Sequence, residues 1–139
     1  MRRGFNVIEI IIALVIAAVL AVIVLPRASS FIDGMEVRGA VTEIESLFST
    51  ARHVAIARGV QSSLDIDPSR GTISVLAGSD SIRTREVALA HGVVLQSTRA
   101  SITYAPTGMG YGAGNLSLIV TRKRAADTIF VSRLGRVRH

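Results

Sequence analysis

The sequence predicts an α+β protein, in which one long N-terminal helix packs on an antiparallel β-sheet domain. Three observations support this. An apolar run near the N-terminus passes into a helical repeat, a glycine follows that repeat at position 59, and only short β-type segments come after it. Helix and strands are therefore segregated along the chain, and 139 residues suffice for one ordinary domain.

The composition narrows the function classes. Hydrophobic residues make up 49%, the mean hydropathy is +0.46, and the formal charge is +6. This hydropathy excludes a disordered chain, and the absence of cysteine excludes disulfides and thiolate metal sites. The positive charge favours an anionic partner, namely nucleic acid, an anionic membrane or an acidic protein.

The first helical segment has the length and composition of a membrane span. Residues 5–25 contain only two polar side chains, Asn6 and Glu9, and as a helix they extend roughly 31 Å, the thickness of a bilayer core. Arg2 and Arg3 precede the run, which predicts a cytoplasmic N-terminus. A cleaved signal peptide is the alternative, but the run is long and no small-residue cleavage site follows, so we expect a retained anchor.

Two residues interrupt the apolar pattern. A carboxylate within a membrane helix costs about 2.5–3.5 kcal/mol, and no basic residue lies between Arg3 and Arg27 to neutralise Glu9. Glu9 is therefore protonated or drawn to the headgroups, or it meets a positive charge on another chain. Pro26 lacks an N–H and is expected to kink or interrupt the helix at the end of the apolar stretch.

Residues 2–9, followed by the apolar run, resemble the leader and N-terminus of type IV prepilins and type II secretion pseudopilins. The resemblance implies that a prepilin peptidase cuts after Gly4 and that the new N-terminal residue, Phe5, is N-methylated. Glu9 and Pro26 then fall at the fifth and twenty-second mature positions, where the family carries these residues. Asn6 stands where threonine is usual.

The resemblance also implies a domain plan. Residues 1–4 are the leader, 5–26 the transmembrane and filament-core helix, and 27–139 a periplasmic α+β domain at the inner membrane. It also implies a cation for Glu9. The α-amino group exposed at Phe5 of one subunit is the partner expected for Glu9 of its neighbour in a filament.

The segment 27–58 predicts an amphipathic helix that ends at Gly59. Its apolar stripe is widened by Leu47 and Val54, and Gly34 and Gly39 weaken its helix propensity. The stripe itself consists of Val37, Val41, Ile44, Phe48, Ala51 and Ala55. We interpret it as a core face that a sheet covers.

After Gly59 the pattern is that of short strands. Residues 63–67 and 72–76 alternate around turn-forming residues 67–71, which predicts a hairpin. The further strands predicted are 82–89, 93–97, 102–104, 116–121 and 128–132.

Segments 51–59, 102–110, 114–118 and 129–138 are similar to the GspH/FimT pseudopilin family, so the resemblance covers nearly the whole chain. Members of this family often carry a tryptophan in a mid-domain loop, and this chain has no tryptophan.

Neither an enzyme nor a cofactor site is indicated by the motifs. The glycine-rich segment 108–114 precedes a strand pattern and lacks the ending of a phosphate-binding loop, so we interpret it as a flexible connection. The histidines His53, His91 and His139 belong to no catalytic or metal-binding motif, and polar surface roles suffice for His53 and His91.

The last third of the chain is basic. Residues 99–139 contain seven basic residues against Asp127 alone. A solvated sheet edge is one explanation. DNA contact is the other, because Gly135, Arg136 and Arg138 match the Gly-Arg-x-Arg motif of the FimT branch, and arginines two apart on a strand face the same side. The basic turn of Arg122, Lys123 and Arg124 is a further candidate contact.

The sequence therefore predicts a minor pseudopilin of a type II secretion pseudopilus, with other pilins and a prepilin peptidase as partners. The alternative is a FimT-like minor pilin that binds DNA for uptake. A third reading, a simple membrane-anchored domain, requires the bond between Gly4 and Phe5 to stay intact.

Overall fold

The computed structural model describes residues 6–111 and 115–139. The chain divides into two compact units, Met1–Ile32 and Asp33–His139. The helices of the described residues are α1 (Val7–Arg58) and α2 (Val87–His91), and the strands are β1 (Ser62–Asp67), β2 (Thr72–Ala77), β3 (Asp80–Arg85), β4 (Val94–Ser97), β5 (Ser101–Tyr104), β6 (Gly110–Tyr111), β7 (Leu116–Arg122), β8 (Ala125–Val131) and β9 (Val137–Arg138).

Helix α1 contributes to both units. It ends at Arg58, and Gly59 follows with a left-handed φ of 64°, which confirms the predicted glycine cap. The helix continues through Pro26, so the predicted alternative of an interruption is wrong. A proline removes only its own N–H from the helix, and the Ser29 hydroxyl donates locally to the Pro26 carbonyl at 3.0 Å.

The strands form two antiparallel sheets. Sheet 1 has the order β3-β2-β1-β5-β6, and sheet 2 has the order β4-β7-β8-β9. The hairpin of β1 and β2 closes at Asp67, whose carboxylate accepts hydrogen bonds from the backbone N–H groups of Ser69 and Arg70 at 3.0 and 3.1 Å. This Asx-type turn is the chemistry that the sequence predicts there.

Both sheets and α1 share one hydrophobic core. Every residue of the predicted stripe is buried, as is Leu47, whereas Val54 is half-buried. The Ser62 hydroxyl of β1 donates to the Ala51 carbonyl of α1 at 2.5 Å and so joins sheet 1 to the helix inside the core. The predicted α+β arrangement is confirmed, with two sheets against the helix.

One predicted strand extends too far along the chain, and three short elements, α2, β6 and β9, were missed. The strand predicted over 82–89 ends at Arg85, and α2 follows because Gly92 caps it in the left-handed conformation with its N–H on the Ala88 carbonyl. An added Cβ at Gly71 would overlap that of Ala88, so α2 packs closely on the hairpin turn. Strands β6 and β9 have two residues each, too few for an alternating pattern.

Candidate assembly helix and basic surface

The first part of α1 exposes its apolar side chains. Its large aliphatic residues, such as Val7 and Val22 with 71% and 75% of their surface accessible, are open to the surroundings. By length and composition alone this helix can cross a membrane. So much exposed aliphatic surface is unfavourable in water, and its extent is compatible with a single-pass membrane anchor.

Glu9 lies in the first turn of α1, not near the middle of a membrane helix. The Asn6 carbonyl accepts the Glu9 N–H at 2.9 Å, and the Asn6 side-chain oxygen lies 3.4 Å from the Ile8 nitrogen. Asn6 and Glu9 thus have the spacing of a helix N-cap and its third residue, where the helix dipole favours a carboxylate. This Asn-x-x-Glu spacing was visible in the sequence. Gly4 and Phe5 lie outside the described residues.

The turn between β7 and β8 is tied to Asp33 of α1. Arg122 Nε lies 2.9 Å from Asp33 Oδ1, and Lys123 Nζ lies 3.2 Å from Asp33 Oδ2. The hydrogen bond from Arg122 holds the pKa of Asp33 below its ordinary value of 3.8. Two of the basic residues considered for DNA contact therefore have a structural role, and Arg124 is exposed beside them.

His91 joins α2 to α1, so the surface role expected for it is wrong. Its Nδ1 lies 3.0 Å from Glu36 Oε2 and its Nε2 lies 3.1 Å from Glu43 Oε2. A Cβ at Gly39 would lie only 3.0 Å from His91 Cε1, so this glycine makes room for the ring. The Arg122 guanidinium also donates to the His91 carbonyl, which links this cluster to sheet 2.

The sequence analysis missed the ion pairs of Asp33 with Arg122 and Lys123, although one feature of the sequence pointed to them. Asp33 lies four residues before Val37 and thus extends the buried stripe of α1 with a carboxylate, which is 94% buried (6% accessible). A charged side chain on a buried helix face requires a charged or hydrogen-bonding partner.

The glycine of the C-terminal motif is required by the fold. Gly135 has a φ of 74°, and an added Cβ there would overlap the ring of Tyr104. The connection between β8 and β9 is a tight turn, in which the Ser132 N–H donates to the Arg136 carbonyl at 2.9 Å. Burial raises the pKa of Tyr104 to about 12, and its hydroxyl lies 3.4 Å from the Gly135 carbonyl oxygen.

Arg136 and Arg138 are brought together at the surface. Both are exposed, and both line a cavity of about 410 Å³ together with Phe130 and Leu134. Arg138 pairs with Phe130 across β9 and β8, and Arg136 lies in the preceding turn. We predicted that both arginines lie on one strand. Only Arg138 does, although both residues line the same cavity.

The two candidate DNA-contact groups lie at opposite ends of strand β8. The turn with Arg122–Arg124 precedes Ala125, whereas Arg138 pairs with Phe130. Five residues of extended strand separate these positions by about 17 Å. The structure thus groups Arg136 with Arg138, apart from the basic turn.

The glycine-rich segment continues into a strand. Gly108 is buried with a φ of 77°, and Gly110 and Tyr111 form β6 against β5. The rest of the segment, residues 112–114, lies outside the described residues. Within the part of the chain that the structure describes, no three His, Asp or Glu side chains are grouped to hold a metal ion.

Comparison of the sequence with the profiles of known protein families identifies the family of this chain. Residues 40–135 match the sequence profile of a family described as type II transport protein GspH, which is more than half of the chain. The chain belongs to the GspH family. The match begins after Glu9 and ends before Arg136, so it covers neither the candidate assembly residue nor the paired arginines.

The fold of this GspH-family chain is similar to that of the type IV minor pilin FimU of Pseudomonas aeruginosa (strain PAO1). Against the crystal structure in space group P21 the TM-score is 0.64 at 16% identity, with 78% of this chain and 90% of FimU covered. Against the P65 form the TM-score is 0.60 at 13% identity, with 73% and 90% covered. No curated protein matches this chain significantly.

These findings confirm the predicted family and the pilin-like α+β fold. The family is that of the type II transport protein GspH, and the fold is similar to that of the type IV minor pilin FimU.

Proposed function

We propose that this GspH-family chain is a minor pseudopilin, a structural subunit of a type II secretion pseudopilus. The observation that carries the proposal is the exposed apolar first part of α1 in a chain of this family. Such a surface is stable in a membrane before assembly and against the helices of neighbouring subunits afterwards.

The proposal includes processing and topology. A prepilin peptidase removes residues 1–4 on the cytoplasmic side of the inner membrane and Phe5 is N-methylated. Arg2 and Arg3 favour a cytoplasmic N-terminus, which places residues 27–139 in the periplasm as the assembled domain.

Glu9 has the central role in assembly. It is the only charged residue in the sequence between Arg3 and Arg27, and it lies one turn from the helix start. The α-amino group of Phe5 on an adjacent subunit is a matching cation at that depth. Their pairing lowers the cost of each charge in lipid and fixes the axial step between subunits.

Glu9→Gln is expected to leave the protein in the membrane and to reduce its recovery in sheared, sedimented filaments at least tenfold, because the amide cannot neutralise the neighbour's amine. Immunoblotting of filament and membrane fractions measures both pools. Glu86→Gln is the matched control, since Glu86 is exposed and forms no ion pair within the described residues. Normal filament recovery of Glu9→Gln would contradict the assembly role.

A second candidate function rests on the paired arginines. We propose as the alternative a FimT-like minor pilin that binds DNA through Arg136 and Arg138, which are exposed and line one cavity beside Phe130. Guanidinium groups on a strand end and its adjoining turn suit phosphate contacts, which position DNA without reading its sequence.

Replacement of both arginines by glutamine is expected to lower the affinity of the full chain for duplex DNA. It should also reduce the slope of log K against log salt by about 2, because roughly one counterion is released per phosphate contact. Fluorescence anisotropy in nonionic detergent measures this. Arg38→Gln with Arg83→Gln changes the net charge equally at exposed sites and is the control. Equal losses in both double variants would exclude a specific site.

A further inference from the structure

A small cleft lies where the edge of sheet 1 meets sheet 2. Its cavity volume is about 240 Å³, below the roughly 300–1,000 Å³ of pockets for drug-sized ligands. It is lined by three hydroxyl-bearing side chains, two arginines and three further residues, namely Ser101, Thr103, Tyr111, Arg99, Arg133, Ile102, Gly110 and Leu116.

The pairing of β5 with β6 determines on which face of the sheet the hydroxyl-bearing side chains lie. Thr103 lies directly opposite Tyr111 in this pairing, so the two side chains project from the same face. Ser101 is two residues before Thr103 on β5 and projects from that face as well. The sheet edge thus presents three hydroxyl-bearing side chains on one face.

Close backbone contact between the two sheets places Arg133 at the cleft. A Cβ on Gly110 would lie 2.8 Å from the Arg133 carbonyl oxygen and 2.8 Å from the Gly135 nitrogen. Only glycine allows β6 to approach the turn after β8 this closely. This contact fixes the backbone that carries Arg133 beside the hydroxyl groups.

The segment that carries Arg99 is fixed by both sheets. The Thr98 N–H donates to the Ser117 carbonyl at 3.0 Å, and the Ala100 carbonyl accepts the Ile66 N–H at 2.7 Å. The Arg99 carbonyl accepts the Ser97 hydroxyl at 2.6 Å. The connection between β4 and β5 is thus held on either side of Arg99, so this arginine starts from an ordered backbone.

The charged residues that line the cleft are both arginines, and the carboxylate paired across the strands with its residue Ser101 is that of Asp65 on β1. Among the described residues that line it there is no carboxylate, and neither Arg99 nor Arg133 forms an ion pair with any described residue. Arg99 and Arg133 bring two like charges to one cleft, and a bound anion reduces the repulsion between them.

We propose that this cleft binds a phosphoryl group. Two guanidinium groups and three hydroxyls offer more donors than the two oxygens of a carboxylate can accept, whereas a tetrahedral oxyanion has acceptor oxygens on every side. The cavity is large enough to hold such a group. The site differs from the one lined by Arg136 and Arg138, and it depends on neither proposed function.

The test uses the full chain in a nonionic detergent that contains no phosphate. Inorganic phosphate is titrated at constant ionic strength while NMR follows the arginine Nε–H signals. Saturable shifts at Arg99 and Arg133 are expected, and Arg99→Gln or Arg133→Gln should each weaken binding about tenfold or more. Arg83→Gln, an exposed arginine on β3, removes the same charge and should bind as the unmodified chain does.

Three results would overturn the proposal: shifts that do not saturate, as chloride would give; equal affinity in the Arg99 and Arg83 variants; or acetate binding as tight as that of phosphate. Methyl phosphate and dimethyl phosphate distinguish the sources of the group. Saturable binding of the monoester alone supports a terminal phosphate, and binding of the diester as well supports a phosphodiester in a lipid or polymer.

Discussion

At the scale of single residues, Asp33 shows how one charge organises the packing of a helix. It continues the apolar stripe of α1, yet its buried carboxylate forms ion pairs with Arg122 at the end of β7 and with the exposed Lys123 in the following turn. Burial of a carboxylate is tolerated here because two cations and their hydrogen bonds compensate for lost hydration. Asp33 therefore ties sheet 2 to α1 at a defined position.

The ion pairs of Asp33 predict that the free energy of unfolding depends on pH. Because the folded-state pKa of Asp33 lies below its ordinary value of 3.8, folding is favoured by the ionised carboxylate above about pH 4, and this contribution is lost as the pH falls through the lowered value. In Asp33→Asn the contribution is absent, so the difference in unfolding free energy between the two proteins should shrink with falling pH. Urea unfolding between about pH 2 and 6 measures it. A difference that is independent of pH would contradict the ion pair.

At the scale of elements, the sequence predicted those helices and strands whose formation depends on residues close together in the chain. The stripe of α1 and the hairpin closed at Asp67 follow from periodicity and turn chemistry. The change from strand to helix after Arg85 does not follow from such patterns alone: Gly92 is a local capping signal, but Ala88 also packs on Gly71, which is distant in sequence. The alternation of Val87 and Leu89 is equally compatible with a strand.

The candidate sites divide in the same way. Glu9, Arg136 and Arg138 were predicted because motif and charge are local features, whereas His91 between Glu36 and Glu43 joins elements distant in the chain. No sequence spacing brings such residues together, so only the fold identifies them.

The turn between β8 and β9 gives a prediction at this scale. Gly135→Ala places a side chain at a φ of 74° and against Tyr104, so the free energy of unfolding should fall by about 2 kcal/mol. Gly34→Ala is the control, since nothing lies within 4 Å of its Cβ position in α1, and it should add up to about 1 kcal/mol. Urea unfolding followed by tyrosine fluorescence measures both. Similar effects of the two substitutions would contradict the close packing at Gly135.

At the scale of the whole molecule, the properties of the chain are distributed over distinct parts. The high mean hydropathy comes largely from the exposed first part of α1, whereas the unit Asp33–His139 has its own buried core. The positive charge is concentrated after residue 98, where Asp33 neutralises part of the basic turn. The remaining exposed arginines form the candidate surfaces for anions.

This distribution fits a protein that acts by assembly. Under the proposed function, the exposed apolar part of α1 is the surface for the membrane and for neighbouring subunits. The same proposal assigns the processing at Gly4 and Phe5 to a peptidase, so the chain is the substrate of that reaction.

The most direct test is the intact mass of the protein extracted from membranes of a strain with an active prepilin peptidase. We expect a chain that lacks residues 1–4 and carries one added methyl group on Phe5. A chain that keeps its first four residues and has no methyl group would contradict the assignment as a pilin-type subunit.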